Sequence, residues 1–184
     1  SEDHLRLLKE GLDRIEVTVS SLLEGARKKT TADKEFDVNL CVRDVLNLLG
    51  HRLSTEKVIT QIQLDDKVPQ IKNSKSGLEE VLLNICMNAL DAISGIGTIK
   101  IVTKVHQQTV MITIGDSGAG ISEEIQSKMF EPFVTTKEVG KGTGLGLYVT
   151  REIIDSMGGE ISYNVSQLGG AEFQIDIPLQ KDSE

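Results

Sequence analysis

Apolar residues recur along the chain with more than one period, and each period predicts its own kind of element. Near the start, Leu5, Leu8, Leu12, Ile15, Val19, Leu22 and Ala26 fall alternately three and four apart, the a/d seam of a heptad helix. So narrow a stripe needs a partner helix to bury it, and none is evident elsewhere in the chain. The polar run Arg27 to Lys34, RKKTTADK, reads as a linker with a boundary near residue 33. Helical spacing returns over Leu40 to Leu53, alternation over Val58 to Leu64 predicts a strand, and Pro69 to Ile71 predicts a short edge strand.

A long helix follows. In GLEEVLLNICMNALDAI, the residues Leu78, Val81, Leu82, Ile85, Ala89, Ala92 and Ile93 share one face at about 100° per residue, and Gly95 and Gly97 are expected to end it. Two β-rich runs, Thr98 to Val105 and Val110 to Ile114, flank a polar His106-Gln107-Gln108 turn. Tyr148 to Met157 predicts a helix stopped by Gly158-Gly159, and strands over Glu160 to Val165 and Glu172 to Ile177 form a hairpin around Gly169-Gly170. This order predicts an α+β fold: a two-layer α/β sandwich with a mixed, mostly antiparallel sheet and helices on one face, preceded by the heptad helix.

Composition narrows the function classes. The 184 residues are 39% hydrophobic, enough for a sizeable core, but only 3% aromatic with no Trp, so the core is expected to be aliphatic. A net charge of -8 argues against a general grip on nucleic acid. Cys41 and Cys86 stand in apolar stretches without metal or disulfide spacing, which reads as two buried thiols in a reducing cytosol. Neither an apolar run of membrane-spanning length nor a signal-peptide layout is present, so no membrane contact by this chain is expected.

Chemistry concentrates in three places. Asn84 and Asn88 lie one helical turn apart at the border of the apolar face. Neutral amide oxygens there suit a magnesium ion that takes its other ligands from phosphate and water, although two solvated or capping amides would show the same spacing. In GDSGAGI, Asp116 leaves a strand ahead of Gly118 and Gly120. Its carboxylate suits an exocyclic amine such as that of adenine, and a plain Asp-Gly turn is the competing reading. In FEPFVTTKEVGKGTGLGL, Phe130 and Phe133 can anchor a loop, Lys137 and Lys141 supply cationic reach, and glycines fill every second position from Gly140 to Gly146. That segment looks like a lid whose end, Gly144 to Leu147, opens a helix and offers N-H groups to phosphate. It is not the P-loop pattern.

Paired Asn on a helix, D-x-G-x-G after a strand, F-x-P-F…TTK, and G-x-G-x-G into a helix resemble, in that order, the N, G1, F and G2 boxes of the sensor histidine kinases. These belong to the superfamily of gyrase, heat-shock chaperone, histidine kinase and mismatch-repair ATPases. The resemblance covers about residues 33 to 180, and NALDAI with FEPFVTTKEVGKGTGLGL most resembles the nitrogen-regulator and dicarboxylate-sensor branch. It implies a Bergerat-type ATP fold over 33–184, and over 1–32 the second helix of the dimerisation and histidine-phosphotransfer hairpin with its linker.

By the same resemblance, Asn88 holds Mg and Asn84 lies near the phosphates, where it cannot serve as the water-activating base that the related ATPases keep at that place as Glu. Asp116 binds the adenine amine, and Gly118 and Gly120 shape the base pocket. Lys137 reaches the terminal phosphate, and Gly142, Thr143, Gly144, Leu145 and Gly146 wrap the phosphates. Ile121, Phe133, Thr136, Lys141 and Leu147 complete the expected ATP contacts, with Asn84, Asn88 and Lys137 as the catalytic set. Ala171 stands where these kinases often carry a Thr near the adenine, and Asp91 is expected to point to solvent.

The phosphoacceptor, a His followed by an acidic residue and a downstream Pro, is missing. His4, His51 and His106 lack that context, so the chain resembles a truncated kinase. The implied partners are the hairpin of the same kinase, a response regulator, and a second copy in a full-length homodimer. The implied location is cytoplasmic, including as the cytoplasmic part of a membrane-bound sensor. An anti-sigma-type serine kinase and a non-catalytic ATP-dependent interaction module are the alternatives on the same fold.

Overall fold

The structure is a computed structural model that describes residues 34–137 and 142–179. The heptad segment, most of the linker and Lys141 lie outside the described residues. The element order is β1 (Lys34–Phe36), α1 (Val38–Thr55), β2 (Val58–Leu64), β3 (Ile71–Asn73), α2 (Lys75–Ala92), β4 (Gly97–His106), β5 (Thr109–Asp116), α3 (Glu123–Gln126), α4 (Gly146–Ser156), β6 (Glu160–Val165) and β7 (Ala171–Pro178).

Five strands form one sheet in the order β2-β4-β5-β7-β6; β2 pairs parallel to β4 and every other pairing is antiparallel. The mixed, mostly antiparallel sheet expected from the sequence is therefore present. Its inward face is the aliphatic stripe set by strand alternation: Ile99, Ile101, Ile112, Ile114, Ile175 and Ile177 are all buried, and the register sets Ile114 beside both Ile101 and Phe173. Against this face lie the helices, with α2 packed between α1 and α4. Asp37 caps α1 by accepting from the Leu40 N-H at 3.1 Å, and Ser74 caps α2 by accepting from Gly77 at 3.2 Å.

A buried hydroxyl in the sheet shows how polar groups are settled. The Thr103 Oγ1-H donates to Asn39 Oδ1 at 2.7 Å and its oxygen accepts from the Asp65 N-H at 3.2 Å, which ties β4 to α1 and to the end of β2.

Two boundaries differ from expectation. Gly97 opens β4 instead of ending the preceding helix. The short strand lies at Ile71–Asn73, and it pairs with β1 in a separate two-stranded sheet, with Phe36 opposite Ile71. Pro69 lacks the N-H that a ladder needs, which favours starting the strand after it.

Cys41 and Cys86 are both buried free thiols, as expected. Burial pushes each thiol up to about 12. Neither is therefore a nucleophile near neutrality. The expected outcome is that a water-soluble disulfide reagent at pH 8 labels both cysteines only after denaturant is added; labelling of the native protein would show that the helices open readily.

Candidate functional site

The polar stripe of α2 runs opposite its core stripe. While Leu78, Val81, Leu82, Ile85, Cys86, Ala89 and Leu90 are buried, Asn84, Met87, Asn88 and Asp91 recur at helical spacing along a cavity of about 510 Å³. The loop after β5 closes one end of that cavity, and the segment leading into α4 closes the other.

At the β5 end, Asp116 is 4% exposed. Its Oδ1 accepts from the Gly118 N-H at 2.7 Å and from the Ala171 N-H at 3.3 Å, while its carbonyl accepts from Gly170 at 3.1 Å. Burial raises the Asp116 pKa, against those two backbone bonds, which lower it. Both amide donors act on one oxygen, so Oδ2 is the acceptor left for a ligand. The fit at this corner depends on Gly170: a Cβ built there would collide with Asp116 Oδ1 and lie 2.6 Å from both the Asp116 carbonyl oxygen and the Gly118 nitrogen. Ala92, Ile121, Ile125, Met129, Ala171 and Phe173 line the same cavity and give it apolar walls. Phe130 supports them by packing edge-on against Phe173, with centroids 6.4 Å apart, and Arg151 sits 5.7 Å over the Phe130 ring.

At the other end, α4 begins at Gly146 with no side-chain cap. Its first amide groups therefore have no acceptor within the helix. Thr143 Oγ1 accepts from the Leu145 N-H at 3.3 Å and shapes the approach. Gly144 adopts φ +68, and a Cβ there would collide with the Phe133 backbone. Asn84 Nδ2 donates to Thr150 Oγ1 at 2.7 Å, bridging α2 to α4. A Cβ on Gly146 would meet the Asn84 amide at 2.7 Å, so a glycine at the helix start is what lets the two helices close on each other.

Of the residues singled out in the sequence, Asn84, Asn88, Asp116, Gly120, Ile121, Thr136, Lys137, Gly142, Thr143, Gly144, Gly146 and Leu147 meet around the one cavity. Gly118 stands behind it, bonded to Asp116, and Leu145 is buried at the helix start. Two expectations are corrected. Phe133 neither lines the cavity nor anchors the loop: it is 67% exposed, and its backbone takes φ +67. Asp91 does not simply point to solvent. It bonds Arg52 and Lys137 and lines the cavity.

Sequence reasoning missed Gly170, Thr150 and Arg52. Gly170 was read only as part of a hairpin turn, and Thr150 and Arg52 carry no local signal because their partners lie far away in sequence. Among the described residues, no helix is long and apolar enough to cross a membrane, and no three His, Cys, Asp or Glu are grouped so as to hold a metal by themselves.

Residues 73–181 match the family model described as "Histidine kinase-, DNA gyrase B-, and HSP90-like ATPase". The chain belongs to this family. Its similarity to histidine kinases within this ATPase family is direct. Sporulation kinase E of Bacillus subtilis (strain 168) is 33% identical over 174 residues, covering 94% of this chain and 23% of that protein. Sensor histidine kinase ZraS of Escherichia coli O157:H7 is 32% identical over 167 residues, covering 91% and 36%. The catalytic domain of histidine kinase ThkA superposes with a TM-score of 0.74 at 31% identity, covering 81% of this chain and 99% of that one. ThkA in complex with response regulator protein TrrA gives 0.77 at 27% identity, covering 96% and 51%. The fold is that of histidine kinase catalytic domains. The chain spans less than half the length of these curated relatives.

Proposed function

We propose that this chain is the ATP-binding catalytic portion of a two-component sensor histidine kinase. It transfers the γ-phosphoryl group of Mg-ATP to a histidine on a dimerisation helix, for relay to an aspartate of a response regulator. The observation that carries this reading is the convergence of four separated motifs, from α2, from the end of β5, from the Thr136-Lys137 segment and from the start of α4, on one cavity in a chain of this family. The ThkA complex with a response regulator supports the choice of partner. The domain division follows the same reading, with residues 1–32 as hairpin helix and linker and 33–184 as catalytic domain. In the full-length protein the hairpin would pair as a homodimer in the cytoplasm.

In this reading the adenine lies in the apolar end of the cavity, and its exocyclic amine donates to Asp116. The phosphates run toward α4, where free backbone N-H groups and the helix dipole favour negative charge. Lys137 meets the terminal phosphate. Asn88 offers a neutral amide oxygen beside that path, a donor suited to a magnesium ion that keeps phosphate and water as its other ligands. The ion would neutralise phosphate charge as transfer proceeds. Asn84 is committed to Thr150 through its amide nitrogen and has no basic group with which to activate water, so the site is built for positioning a phosphoryl group toward a nucleophile brought from outside.

The test is transfer from terminally labelled ATP, with magnesium, to a compatible histidine-bearing hairpin. Acid-labile, alkali-stable label on the hairpin is the expected outcome. Label on a serine of an added partner, or ATP binding without label on any compatible hairpin, would overturn the reading.

A further inference from the structure

Asp91 stands one turn beyond Asn88 on α2 and lines the same cavity. It lies in the last turn of the helix, where the exposed carbonyl ends disfavour an anion, and α2 supplies no basic residue there. Two cations from distant segments offset this. Arg52 Nη2 donates to Asp91 Oδ1 at 2.5 Å, and Lys137 Nζ donates to Oδ2 at 2.5 Å. Burial works against the charged form, but the bonds from Lys137 and Arg52 outweigh it and hold the carboxyl below its usual range.

The two cations are not equivalent. Arg52 is fixed from three directions, since its Nε also donates to Glu56 Oε1 at 2.5 Å and its Nη1 to Met87 Sδ at 3.2 Å. Lys137 comes instead from the segment whose neighbour Thr136 lines the cavity, and its ammonium carries charge without the fixed fork of a guanidinium. Asp91 is therefore held toward Arg52 by a side chain with two further partners, and toward Lys137 by the cation that is easier to exchange. Both members of the Asp91–Lys137 pair are about one-third exposed, a setting in which an ion pair is weak enough to be traded.

We propose that Asp91 and a terminal phosphate compete for Lys137, and that this competition sets how strongly ATP is preferred over ADP. A triphosphate brings a terminal group with more charge than a carboxylate and takes Lys137 over; a diphosphate does not reach it and leaves the pair in place. Asp91 thus lowers the advantage of ATP over ADP and keeps the two nucleotides closer in affinity. The inference deepens the reading above and rests on Lys137 engaging the terminal phosphate.

Calorimetric titration of Mg-ATP and Mg-ADP into the full chain, Asp91→Asn, Lys137→Met and the double variant tests it. Asn keeps an oxygen for Arg52 and loses the charge that holds Lys137. Asp91→Asn is expected to tighten ATP by about two- to fivefold, the range of a part-exposed ion pair, with ADP unchanged. Lys137→Met is expected to weaken ATP alone, and to abolish the gain from Asp91→Asn in the double variant. An equal gain for ATP and ADP, a gain that persists without Lys137, or a loss of ATP affinity in Asp91→Asn each overturns the proposal. If Lys137→Met weakens ATP but Asp91→Asn brings no gain, the competition falls and the phosphate role of Lys137 stands. If Lys137→Met leaves ATP binding unchanged, both fall.

Discussion

Asp116→Asn is expected to lower ATP affinity by about 10- to 100-fold, the value of a lost hydrogen bond to a charged acceptor, without lowering the melting temperature measured in the absence of nucleotide. The two parts of this result have separate causes. Asn can keep its oxygen at the position that accepts from Gly118 and Ala171, so the loop after β5 retains its backbone anchors. In the proposed pose its amide nitrogen then replaces Oδ2 and opposes the adenine amine donor to donor.

The pH dependence follows from burial. Because the folded pKa of Asp116 is raised, the native protein holds this proton more tightly than the unfolded chain. In the window between the two pKa values, stability falls as pH rises, and the cost of the ionised group persists above it. The Asn variant lacks that cost, so its melting temperature at neutral pH equals or exceeds the parent's. For the proposed hydrogen bond from adenine, the ionised form is the better acceptor. ATP affinity of the parent falls as pH drops through the raised pKa, and that decline is missing in the variant. Calorimetric titration across this range, with thermal melts alongside, checks each part. An Asn variant with unchanged ATP affinity would remove Asp116 from the base pocket.

Gly170→Ala is expected to damage both fold and binding. The added carbon has nowhere to go, since it meets the Asp116 carboxylate, the Asp116 carbonyl and the Gly118 nitrogen together. Two of these are backbone atoms that cannot swing away. Overpacking of this kind costs about 1–3 kcal/mol, which for a domain of this size corresponds to a fall of roughly 3 to 10 °C in melting temperature. Because the displaced atoms are those that seat Asp116, ATP affinity falls with stability, unlike in the Asn variant. Gly169→Ala is the useful control for the hairpin: it has φ +101 and so carries backbone strain, but no atom lies near its Cβ. A Gly170→Ala protein that melts and binds like the parent would show that the corner has slack the structure denies it.

Much of the fold was legible because its signals are local. β4, β5, α2 and α4 each carry a complete period of apolar residues, and their bounds fall within a few residues of those read from the pattern. β1 was not legible: three residues, KEF, bury only Phe36 and follow directly on a polar run. α3, four residues with no buried side chain, offers no period to read. The site divides in the same way. Asn88, Asp116 and the glycines before α4 announce themselves through motif and order. Asp91 does not, because the residues that determine its surroundings lie 39 and 46 positions away in the chain. Phe133 misled for a different reason. Its residue type suggests an anchor, but the residue stands exposed at φ +67, which residue type alone does not signal.

The position of β7 has a consequence for how the protein comes into being. It is the last described strand in chain order, but it lies inside the sheet between β5 and β6, and Ala171 at its start, with Gly170 just before it, seats Asp116. A chain leaving the ribosome therefore carries Asn88, Asp116 and the glycines of α4 well before the strand that joins them into a cavity. Until β7 enters, β5 and β6 have no shared neighbour, and Asp116 lacks two of the amides that orient it. Nucleotide capture is thereby postponed until β7 has been made, so a chain interrupted before β7 has the motifs of an ATP site without the means to hold ATP.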